Sequence, residues 1–296
     1  MPELPEVEVV RLGLAEHVTG RTVAAVEVRH PRSIRRHLAG ELDFTARLCG
    51  RQICAARRRG KYLWLELAPL TGLATAGEAV LAHLGMSGQM RIQLPGAPDE
   101  THLRVRLQFS DGGPELRFID QRTFGGLSVE EVAGGLPIPI SHIARDPMDP
   151  FFDRDAVVAG IQRRCTGLKR ALLDQTLVSG IGNIYADEAL FRAGIHPLRP
   201  AGRLSAADWE RVRDGIEQAL SAGIEAKGAS IDDFRHLDGA RGSFQDLFLV
   251  HRRAGEPCPN CGTTIRKIVV GGRGTYVCEN CQRKPRARRA SAGRRR

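Results

Sequence analysis

The first six residues, Met-Pro-Glu-Leu-Pro-Glu, place a proline and a carboxylic acid side by side at the start of the chain. A small second residue allows removal of Met1, and Pro2 then carries a free secondary amine. An α-amino group titrates near pH ~7.7–8.0, so roughly a tenth of it is unprotonated and nucleophilic at neutral pH. Its condensation with a sugar aldehyde gives a cationic iminium, which acidifies the neighbouring carbon and so promotes loss of a β-phosphate. Glu3 supplies the carboxylic acid that such a nucleophile needs as a proton shuttle.

A second set of residues is typical of a metal site. Cys258-Pro-Asn-Cys261 and Cys278-Glu-Asn-Cys281 are two C-x-x-C pairs separated by sixteen residues. Four thiolates at this spacing can close a tetrahedral shell around one zinc ion, and they leave no open position for catalysis. The sequence therefore predicts one structural Zn²⁺. Between the pairs, residues 268–270 and 275–277 lie on either side of Gly271-Gly272, a pattern that predicts a β-hairpin with Arg273 near its tip.

Four further motifs combine glycine with side chains that could bind a ligand. Residues 57–61, Arg-Arg-Arg-Gly-Lys, favour a solvated basic turn by composition alone. Residues 83–88, His-Leu-Gly-Met-Ser-Gly, end an apolar strand, where a core methionine is the default interpretation. Residues 118–126 form a loop with an aromatic ring beside an arginine. Residues 179–183, Ser-Gly-Ile-Gly-Asn, predict either a simple tight turn or a phosphate-binding loop before a helix.

The composition suits a globular protein with two or three modest domains, because the chain has 296 residues and is 42% hydrophobic. No apolar run approaches the ~20 residues of a membrane span, and the N-terminus lacks a signal pattern. We therefore expect a cytoplasmic protein with no membrane partner. Seven cysteines, four of them in the two pairs, fit a reducing compartment.

The net charge of +10 is concentrated at the end of the chain. Residues 283–296 hold eight basic residues and no acidic one, and removing these eight charges from +10 leaves +2. The alanine, serine, glycine and proline between them cannot build a core, so we predict a disordered basic tail over 283–296. A solubilising role and a DNA-tethering role for this tail are equally open.

The chemical groups at the N-terminus need a scaffold that holds them. Residues 4–18 carry apolar side chains at helical spacing, which predicts a helix that anchors Pro2. From residue 22 to about 127 the period changes to two. Strands are predicted at 62–67, 103–109 and 116–119, with a turn at 110–113. This pattern indicates an antiparallel sandwich or barrel flanked by the first helix.

The second half of the chain returns to helical spacing. Four prolines between 128 and 150 exclude a helix there, and we interpret 136–150 as a linker. Helices are predicted at 155–164, 168–178 and 184–193, and another begins with a capping box at Ser205. The glycines and serines of 228–248 predict a mobile loop.

Taken alone, the opening hexapeptide is better explained as a charged arm that its prolines keep extended. However, MPELPEVEVVRLGL resembles the opening of bacterial formamidopyrimidine-DNA glycosylases, and the resemblance continues to about Gln282. Those enzymes excise oxidised purines, such as 8-oxoguanine and formamidopyrimidines, and then nick the strand. The resemblance implies a bifunctional DNA glycosylase and DNA-(apurinic or apyrimidinic site) lyase of base excision repair, with damaged double-stranded DNA as its partner.

The resemblance also implies an α+β fold in three parts. An N-terminal antiparallel β-sandwich domain with flanking helices covers residues 2–135 and precedes the linker. A helical helix–two-turn–helix domain covers 151–235, where LLDQTLVSGIGNIYADEALFRAGIHP resembles the family element almost residue for residue. A lesion loop and the C-terminal zinc-finger β-hairpin cover 236–282, and the basic tail follows.

By the same resemblance, four residues are catalytic. Pro2 matches the nucleophile, Glu3 the proton donor, and Lys61 the lysine credited with proton transfer in β-elimination. Arg273 matches the zinc-finger arginine to which a role in δ-elimination is assigned. Because a guanidinium hardly deprotonates, we assign Arg273 phosphate clamping and charge stabilisation rather than literal proton donation.

Seven further residues match DNA contacts of the family. Met86, Arg122 and Phe124 match residues that enter the space left by the extruded base, although Thr123 departs from the Arg-Arg-Phe of other members. Methionine and phenylalanine suit an apolar wedge in a kinked duplex. The other matches to DNA contacts are His102, Arg164, Lys169 and Asn183.

Two rival functions remain at this point. An endonuclease VIII-like glycosylase for oxidised pyrimidines shares the fold and the proline chemistry, but its members typically begin Pro-Glu-Gly-Pro, whereas this chain has Pro-Glu-Leu-Pro. A zinc-containing DNA-binding protein without activity is the second rival, and the presence of Pro2, Glu3, Lys61 and Arg273 argues against it. We expect a monomer that is cytoplasmic, bacterial and associated with the nucleoid.

Overall fold

The structure, a computed structural model, describes residues 1–69, 77–231 and 234–285. Most of the predicted basic tail, residues 286–296, lies outside the described residues, as do two residues of the loop predicted at 228–248. The chain divides into two compact units. The N-terminal unit comprises Met1–Phe152, Gln175–Gly182 and Ala219–Leu247, and the C-terminal unit comprises Asp153–Asp174, Asn183–Gln218 and the chain from Phe248 onward.

The described residues form helices and strands in the following order. The helices are α1 (Leu4–His17), α2 (Gly40–Leu48), α3 (Arg154–Gln162), α4 (Leu168–Leu172), α5 (Asn183–Arg192) and α6 (Ala206–Glu225). The strands are β1 (Val23–Val28), β2 (Ile53–Arg59), β3 (Tyr62–Leu67), β4 (Gly77–His83), β5 (Gly88–Gln93), β6 (Leu103–Phe109), β7 (Glu115–Asp120), β8 (Gly126–Ala133), β9 (Leu136–Pro137), β10 (Arg266–Val270) and β11 (Arg273–Val277). None of the helices in these ranges is long and apolar enough to cross a membrane.

Two antiparallel sheets form the scaffold of the N-terminal unit. One sheet has the order β1-β6-β7-β5 and the other the order β2-β3-β4-β8-β9. The alternating strands turn one face inward, so that Leu107 and Phe118 of the first sheet share a core with Leu65, Val80 and Leu127 of the second. The predicted α+β fold with an N-terminal β-sandwich is confirmed.

Helix α1 covers one edge of this core, as its sequence predicts. Val7, Val10 and Leu14 recur at helical spacing and are fully buried. The period-two interpretation of residues 22–127 missed α2, which buries only Phe44 and Leu48. Two buried apolar positions in nine residues give too weak a periodic signal, because tertiary contacts rather than the local pattern stabilise so short a helix.

The segment predicted as a linker, 136–150, packs on the second sheet. It begins with the two-residue strand β9 and a single 3₁₀ turn at Ile138–Ile140. Ile140 and Ile143 are buried against Trp64 and Leu81. Prolines exclude a regular helix here but leave enough apolar surface to attach the segment to the sheet.

Short helices make up most of the C-terminal unit. Helix α4 ends six residues earlier than the predicted helix at 168–178. The side chain of Gln175, which the prediction placed in the helix, instead binds Gly180 N–H and Ile181 C=O within the N-terminal unit. At the start of α6, Ser205 and Asp208 exchange side-chain and backbone hydrogen bonds of 3.1 Å each, as the predicted capping box requires.

Arg58 forms a buried ion-pair network that joins three parts of the N-terminal unit. Its guanidinium donates to Glu8 on α1 and to Asp146, both at 2.8 Å, and Asp146 also accepts from Gly60 N–H at 3.0 Å. Burial alone lowers the pKa of Arg58, but Asp146 and Glu8 outweigh burial and raise it. Burial raises the pKa of Glu8, and the hydrogen bonds from Arg11 and Arg58 lower it further than burial raises it.

Replacing Arg58 with alanine should lower the free energy of unfolding by about 3–5 kcal/mol, because it removes the arginine that pairs with the buried carboxylate of Asp146 and leaves Glu8 with Arg11 alone. Arg57→Ala on the same strand is the matched control. Its side chain is 59% exposed and 3.4 Å from Glu66, so its loss should cost less than about 1 kcal/mol. Urea denaturation at neutral pH measures both. Glu8 has a lowered pKa in the folded protein, so its ion pair with Arg58 stabilises the fold only while Glu8 is ionised. The share of the stability difference that is due to Glu8 should therefore disappear as pH falls below about 4.3.

Candidate active site and nucleic-acid interface

Pro2 and Glu3 lie at the N-terminus of α1, where both are buried. Glu6 fixes this segment from inside the helix. One oxygen of its carboxylate accepts from Glu3 N–H at 2.8 Å, and the other accepts from Ala229 N–H at 2.7 Å. Leu4 N–H donates to Gly180 O at 3.0 Å. The N-terminal residues are therefore part of the folded unit and do not form a flexible charged arm.

A single peptide group, between Ile181 and Gly182, connects Glu3 with Lys61. Its N–H donates to Glu3 Oε2 at 2.8 Å, and its C=O accepts from Lys61 Nζ at 2.9 Å. The side-chain amide of Gln175 donates to the same carbonyl at 3.0 Å. Because one rigid peptide plane holds both side chains, the carboxyl group and the ammonium group have a fixed separation.

Three glycines make this arrangement possible. A Cβ at Gly182 would overlap the carboxyl carbon of Glu3, and a Cβ at Gly180 would lie 2.6 Å from Leu4 Cδ1. A Cβ at Gly60, which has φ +56°, would lie 2.6 Å from Ser179 Oγ. The glycines of the 179–183 motif therefore permit close packing against the N-terminal residues. Of the two predictions for this motif, the tight turn agrees with the contacts, because the N–H groups of Gly180 and Gly182 are bound to Gln175 and Glu3.

The solvated basic turn that composition favoured for 57–61 is wrong for two of its residues. Arg58 belongs to the buried network, and Lys61 is only 7% exposed. Gly60 and Lys61 form the two-residue connection between β2 and β3, so the hairpin aims Lys61 at the 181–182 peptide group. Composition could not distinguish these residues from Arg57, which is exposed.

A buried carboxylate, Asp120, joins the two loops that carry Met86 and Arg122. It accepts from Ser87 Oγ at 2.5 Å, from Arg122 N–H at 3.2 Å and from Gly125 N–H at 2.8 Å. The loops also touch backbone to backbone, since a Cβ at Gly85 would overlap the amide of Gly125. They therefore form one rigid platform at the ends of β4 and β7.

Three side chains project from this platform. Met86 is 45% exposed and Phe124 is 42% exposed, so the core position that was the default for Met86 is wrong. The guanidinium of Arg122 lies 4.8 Å from the centre of the Phe124 ring, a cation–π contact. Thr123 adopts a left-handed backbone (φ +52°) between them. Apolar side chains exposed together on one platform, rather than scattered singly over the surface, can mark an interaction site.

Two residues that support the platform were not predicted. Arg35 donates to the backbone carbonyls of Thr123, Phe124 and Gly125 at 2.8–3.2 Å. His83 accepts from Gly85 N–H through Nδ1, so the neutral ring carries its proton on Nε2. Burial, helped by the charges of Arg36, Lys61 and Arg35, lowers the pKa of His83 to about 4. His83 opens the glycine-rich motif 83–88, whereas Arg35 lies about 90 residues before the loop it supports and had no local sequence signal.

His102 lies next to the same platform, at the start of β6. Its backbone C=O accepts from Asp120 N–H at 3.0 Å, and its Nδ1 lies 3.3 Å from Arg104 Nη2. Arg104 in turn donates to Asp120 O at 2.8 Å. The structure thus gathers His102, Arg122, Met86 and Phe124 at one place in the N-terminal unit.

In the C-terminal unit, Lys169, which was predicted to help Asn183 hold the DNA backbone, is fully buried. Its Nζ donates to Asp187 Oδ1 at 2.7 Å and to Thr275 Oγ1 at 2.8 Å. The second oxygen of Asp187 lies 2.9 Å from His251 Nδ1. An ammonium group with no exposed surface cannot reach a phosphate, so Lys169 acts by holding α5 and β11 together.

The other predicted residues of this unit are Asn183, Arg164 and Arg273. Asn183, at the start of α5, donates to Gly274 O at 3.0 Å. Arg164 is half-exposed and 3.2 Å from Asp174. Arg273 opens β11 and is exposed. Asn183 and Lys169 therefore bind the two residues that follow Arg273.

The four predicted zinc ligands converge at the base of the β10–β11 hairpin. All four sulfur atoms lie within 4.8 Å of one another, with separations of 3.8 Å for Cys258–Cys281 and 3.5 Å for Cys261–Cys278. Tetrahedral zinc with bonds of about 2.3 Å requires sulfur atoms about 3.8 Å apart. The residues fit one structural Zn²⁺, which when bound would close the hairpin. Hydrogen bonds from Thr263 and Asn280 lower the pKa of Cys261 to about 5.

Comparison with known families defines the class of protein. Residues 143–235 match an H2TH domain, and residues 255–283 match a zinc finger found in FPG and IleRS. Residues 1–127 match the formamidopyrimidine-DNA glycosylase N-terminal domain. These matches cover both compact units and define a DNA-repair glycosylase with a zinc finger.

Individual relatives agree with these matches. A formamidopyrimidine-DNA glycosylase of Salinispora arenicola is 52% identical over 294 residues, which cover 99% of this chain and all of the relative. A Lactococcus lactis Fpg mutant in complex with Fapy-dG containing DNA has a TM-score of 0.85 and 34% identity, covering 96% of this chain and all of that one. The wild-type L. lactis protein with oxidised pyrimidine containing DNA has a TM-score of 0.84, 33% identity and the same coverage.

The chain belongs to the formamidopyrimidine-DNA glycosylase family. It is a DNA glycosylase of base excision repair, and the family combines this activity with that of an AP lyase. Among the alternatives, the endonuclease VIII-like function and the inactive zinc protein are not favoured, since the relatives are named formamidopyrimidine-DNA glycosylases. The predicted zinc is supported by the zinc-finger match and by the cysteine geometry.

Cys258→Ser should release zinc and loosen the hairpin that carries Arg273, because metal binding supplies folding free energy at such sites. We expect weaker DNA binding and a slope of log K against log salt that is smaller by about 0.9 for each phosphate that the loosened hairpin no longer neutralises. Metal content and fluorescence anisotropy provide the measurements. Cys54→Ser, at an exposed cysteine away from the cluster, is the control. Unchanged DNA affinity in a metal-free Cys258→Ser protein would show that zinc does not support the interface.

Proposed function

We propose that the chain excises oxidised purines, including 8-oxoguanine and formamidopyrimidines, from damaged double-stranded DNA through an iminium ion at Pro2. The observation that supports this proposal is the peptide group between Ile181 and Gly182, which binds Glu3 and Lys61 at its two ends. This peptide group holds an amine together with the carboxylic acid that follows Pro2 in the chain, and these are the groups that sugar opening and elimination require. Their rigid placement avoids reorganisation during the reaction.

The proposed reaction starts once the damaged nucleotide is extruded from the duplex. The nitrogen of Pro2 attacks C1′, the glycosidic bond breaks, and the base leaves with a proton. Glu3 protonates the ring oxygen, so the sugar opens and the C1′–N bond becomes the iminium. Lys61 assists removal of a C2′ proton, which expels the 3′-phosphate by β-elimination, and a second elimination expels the 5′-phosphate. Arg273 stabilises phosphate charge.

The platform at the ends of β4 and β7 supports a role in base extrusion. Met86 and Phe124 are exposed apolar side chains on rigid loops, and such residues can be inserted between base steps. The L. lactis relatives were solved with damaged DNA, which supports duplex DNA as the partner here. We also propose that the protein works as a monomer at the bacterial nucleoid in the cytoplasm.

Borohydride reduction tests the identity of the nucleophile. Incubation with a duplex that contains 8-oxoguanine or an abasic site should give a covalent adduct, and peptide mapping should locate it on Pro2. Addition of two residues before Pro2 should abolish the adduct, because the secondary amine becomes an amide without a lone pair for attack.

Lys61→Met is the matched control for this experiment. It removes the other amine at the site, yet it should still give the adduct at Pro2 on an abasic duplex, with slower strand cleavage. An adduct that persists in the extended protein, or that disappears only in Lys61→Met, would reject Pro2 as the nucleophile.

Arg122 is the proposed reader of the base opposite the lesion. An unpaired cytosine presents two neighbouring acceptors, O2 and N3, which a guanidinium fork can satisfy together. Adenine presents one acceptor beside an amino donor. The guanidinium of arginine carries only donors, so it offers no acceptor for this amino group. Removal of oxidised guanine opposite adenine would leave the misincorporated adenine in place and make the mutation permanent. A preference for excision opposite cytosine avoids this outcome.

Arg122→Ala should lower single-turnover excision opposite cytosine by roughly ten- to a hundred-fold, the value of one good bidentate contact. Excision opposite adenine should change much less. Arg122→Lys, which keeps the charge but lacks the fork, should lose most of the same preference. If Arg122→Ala retains the wild-type ratio of the two rates, Arg122 contributes only positive charge.

A further inference from the structure

A cavity of about 210 Å³ lies between α4 and the tip of the β10–β11 hairpin, within the C-terminal unit. It is lined by Arg170, Leu173, Asp174, Gly271 and Arg273. One water molecule requires about 10–15 Å³ of such space, so the cavity can hold a larger polar group together with its waters. Only Arg273 among these residues has a role in the proposed function.

The turn of the hairpin fixes the two arginines relative to each other. Gly271 and Gly272 both have positive φ values, 58° and 74°, and they connect the paired residues Val270 and Arg273. This is the geometry of a two-residue type I′ turn, which requires residues tolerant of positive φ. A Cβ at Gly271 would lie 3.4 Å from Arg170 Cγ, so the tip rests along the stem of Arg170.

The charges that line the cavity are unbalanced. Arg170 and Arg273 are exposed, and within the described residues neither guanidinium has a hydrogen bond or an ion pair. The carboxylate of Asp174 also lines the cavity, but it accepts from Arg164 at 3.2 Å. Two guanidinium groups around one cavity repel each other unless an anion lies between them, and planar forks of this kind match phosphate.

We propose that this cavity is a phosphate site in which Arg170 and Arg273 bind one phosphate group of the DNA strand from two sides. The inference rests on the proposed function, because it takes the phosphate from the bound DNA. Arg170 is a binding residue in this proposal and takes no part in bond breaking. Its contribution is to hold the phosphate that Arg273 neutralises.

Two DNA phosphates share this chemistry. One is a phosphodiester of the uncut strand, and the other is a terminal phosphate left by β,δ-elimination. Three duplexes separate them: an uncleavable tetrahydrofuran site, a one-nucleotide gap with phosphate ends, and the same gap with hydroxyl ends. Binding of zinc-loaded, full-length protein to each duplex is measured by fluorescence anisotropy at several salt concentrations.

Arg170→Ala should weaken binding by roughly ten- to a hundred-fold, the value of a charge-assisted contact, and should reduce the salt slope by about 0.9. If Arg170→Ala weakens binding to all three duplexes, the bound group is a phosphodiester. If it weakens binding only to the gap with phosphate ends, the bound group is the terminal phosphate of the product. Arg213→Ala is the matched control, because Arg213 lies on α6 outside the cavity and pairs with Glu210 and Asp214. Its effect on DNA affinity should stay below about twofold, because Arg213 does not line the cavity and salt screens its exposed charge.

Wild-type binding of all three duplexes by Arg170→Ala overturns the proposal, and so does an equal loss in Arg213→Ala. Zinc content and thermal unfolding of each variant establish that it is folded. Borohydride trapping of the wild type tests the proposed function separately, since covalent capture at Pro2 and the affinity difference at Arg170 are independent measurements. Failed trapping with the affinity loss intact rejects the nucleophile but leaves the phosphate site in place.

Discussion

The peptide group between Ile181 and Gly182 is the constraint on which the active-site arrangement depends. It binds Glu3 from 179 residues away in sequence and Lys61 from 120 residues away. A backbone amide cannot rotate independently of its chain, so it holds both side chains more firmly than another side chain could. The features that surround it serve this contact. Glycines at 60, 180 and 182 allow the approach, Gln175 shares the carbonyl, and Glu6 fixes the start of α1.

Two buried carboxylates hold loops in place elsewhere in the molecule in a similar way. Asp120 binds backbone N–H groups of the loop that carries Arg122, and Glu188 accepts from the consecutive N–H groups of Leu249, Val250 and His251. A carboxylate surrounded by donors in a medium of low dielectric is strongly bound, whereas an unsatisfied one is costly. Loops that would otherwise move are therefore held rigidly where they carry functional side chains. Motif reasoning singled out neither carboxylate, because most of the groups that each one binds are backbone N–H groups, which no sequence pattern identifies.

The features that could be predicted from the sequence are those that local patterns encode. Period-two alternation located the strands of the sandwich, helical spacing located α1 and α6, and the C-x-x-C pairs located the metal site. Prediction failed where long-range contacts decide the outcome. Lys61, Arg58 and Arg57 lie in one basic run, and only the distant partners Ile181 and Asp146 determine which of them is buried. Lys169 was assigned to DNA because the family match identified a position and could not reveal its burial against Asp187.

Neighbouring residues of α4 have opposite environments, and this explains how one short helix serves two purposes. Successive helical residues point about 100° apart, so Lys169 faces the interior while Arg170 faces the cavity. The β10–β11 hairpin is therefore held at three levels: the cysteine cluster at its base, Lys169 and Asn183 at Thr275 and Gly274, and the stem of Arg170 at its tip. Restraint at both ends of β11 leaves Arg273 little freedom except in its own side chain. A phosphate that binds there orders few additional groups, so more of the electrostatic attraction is retained as binding free energy.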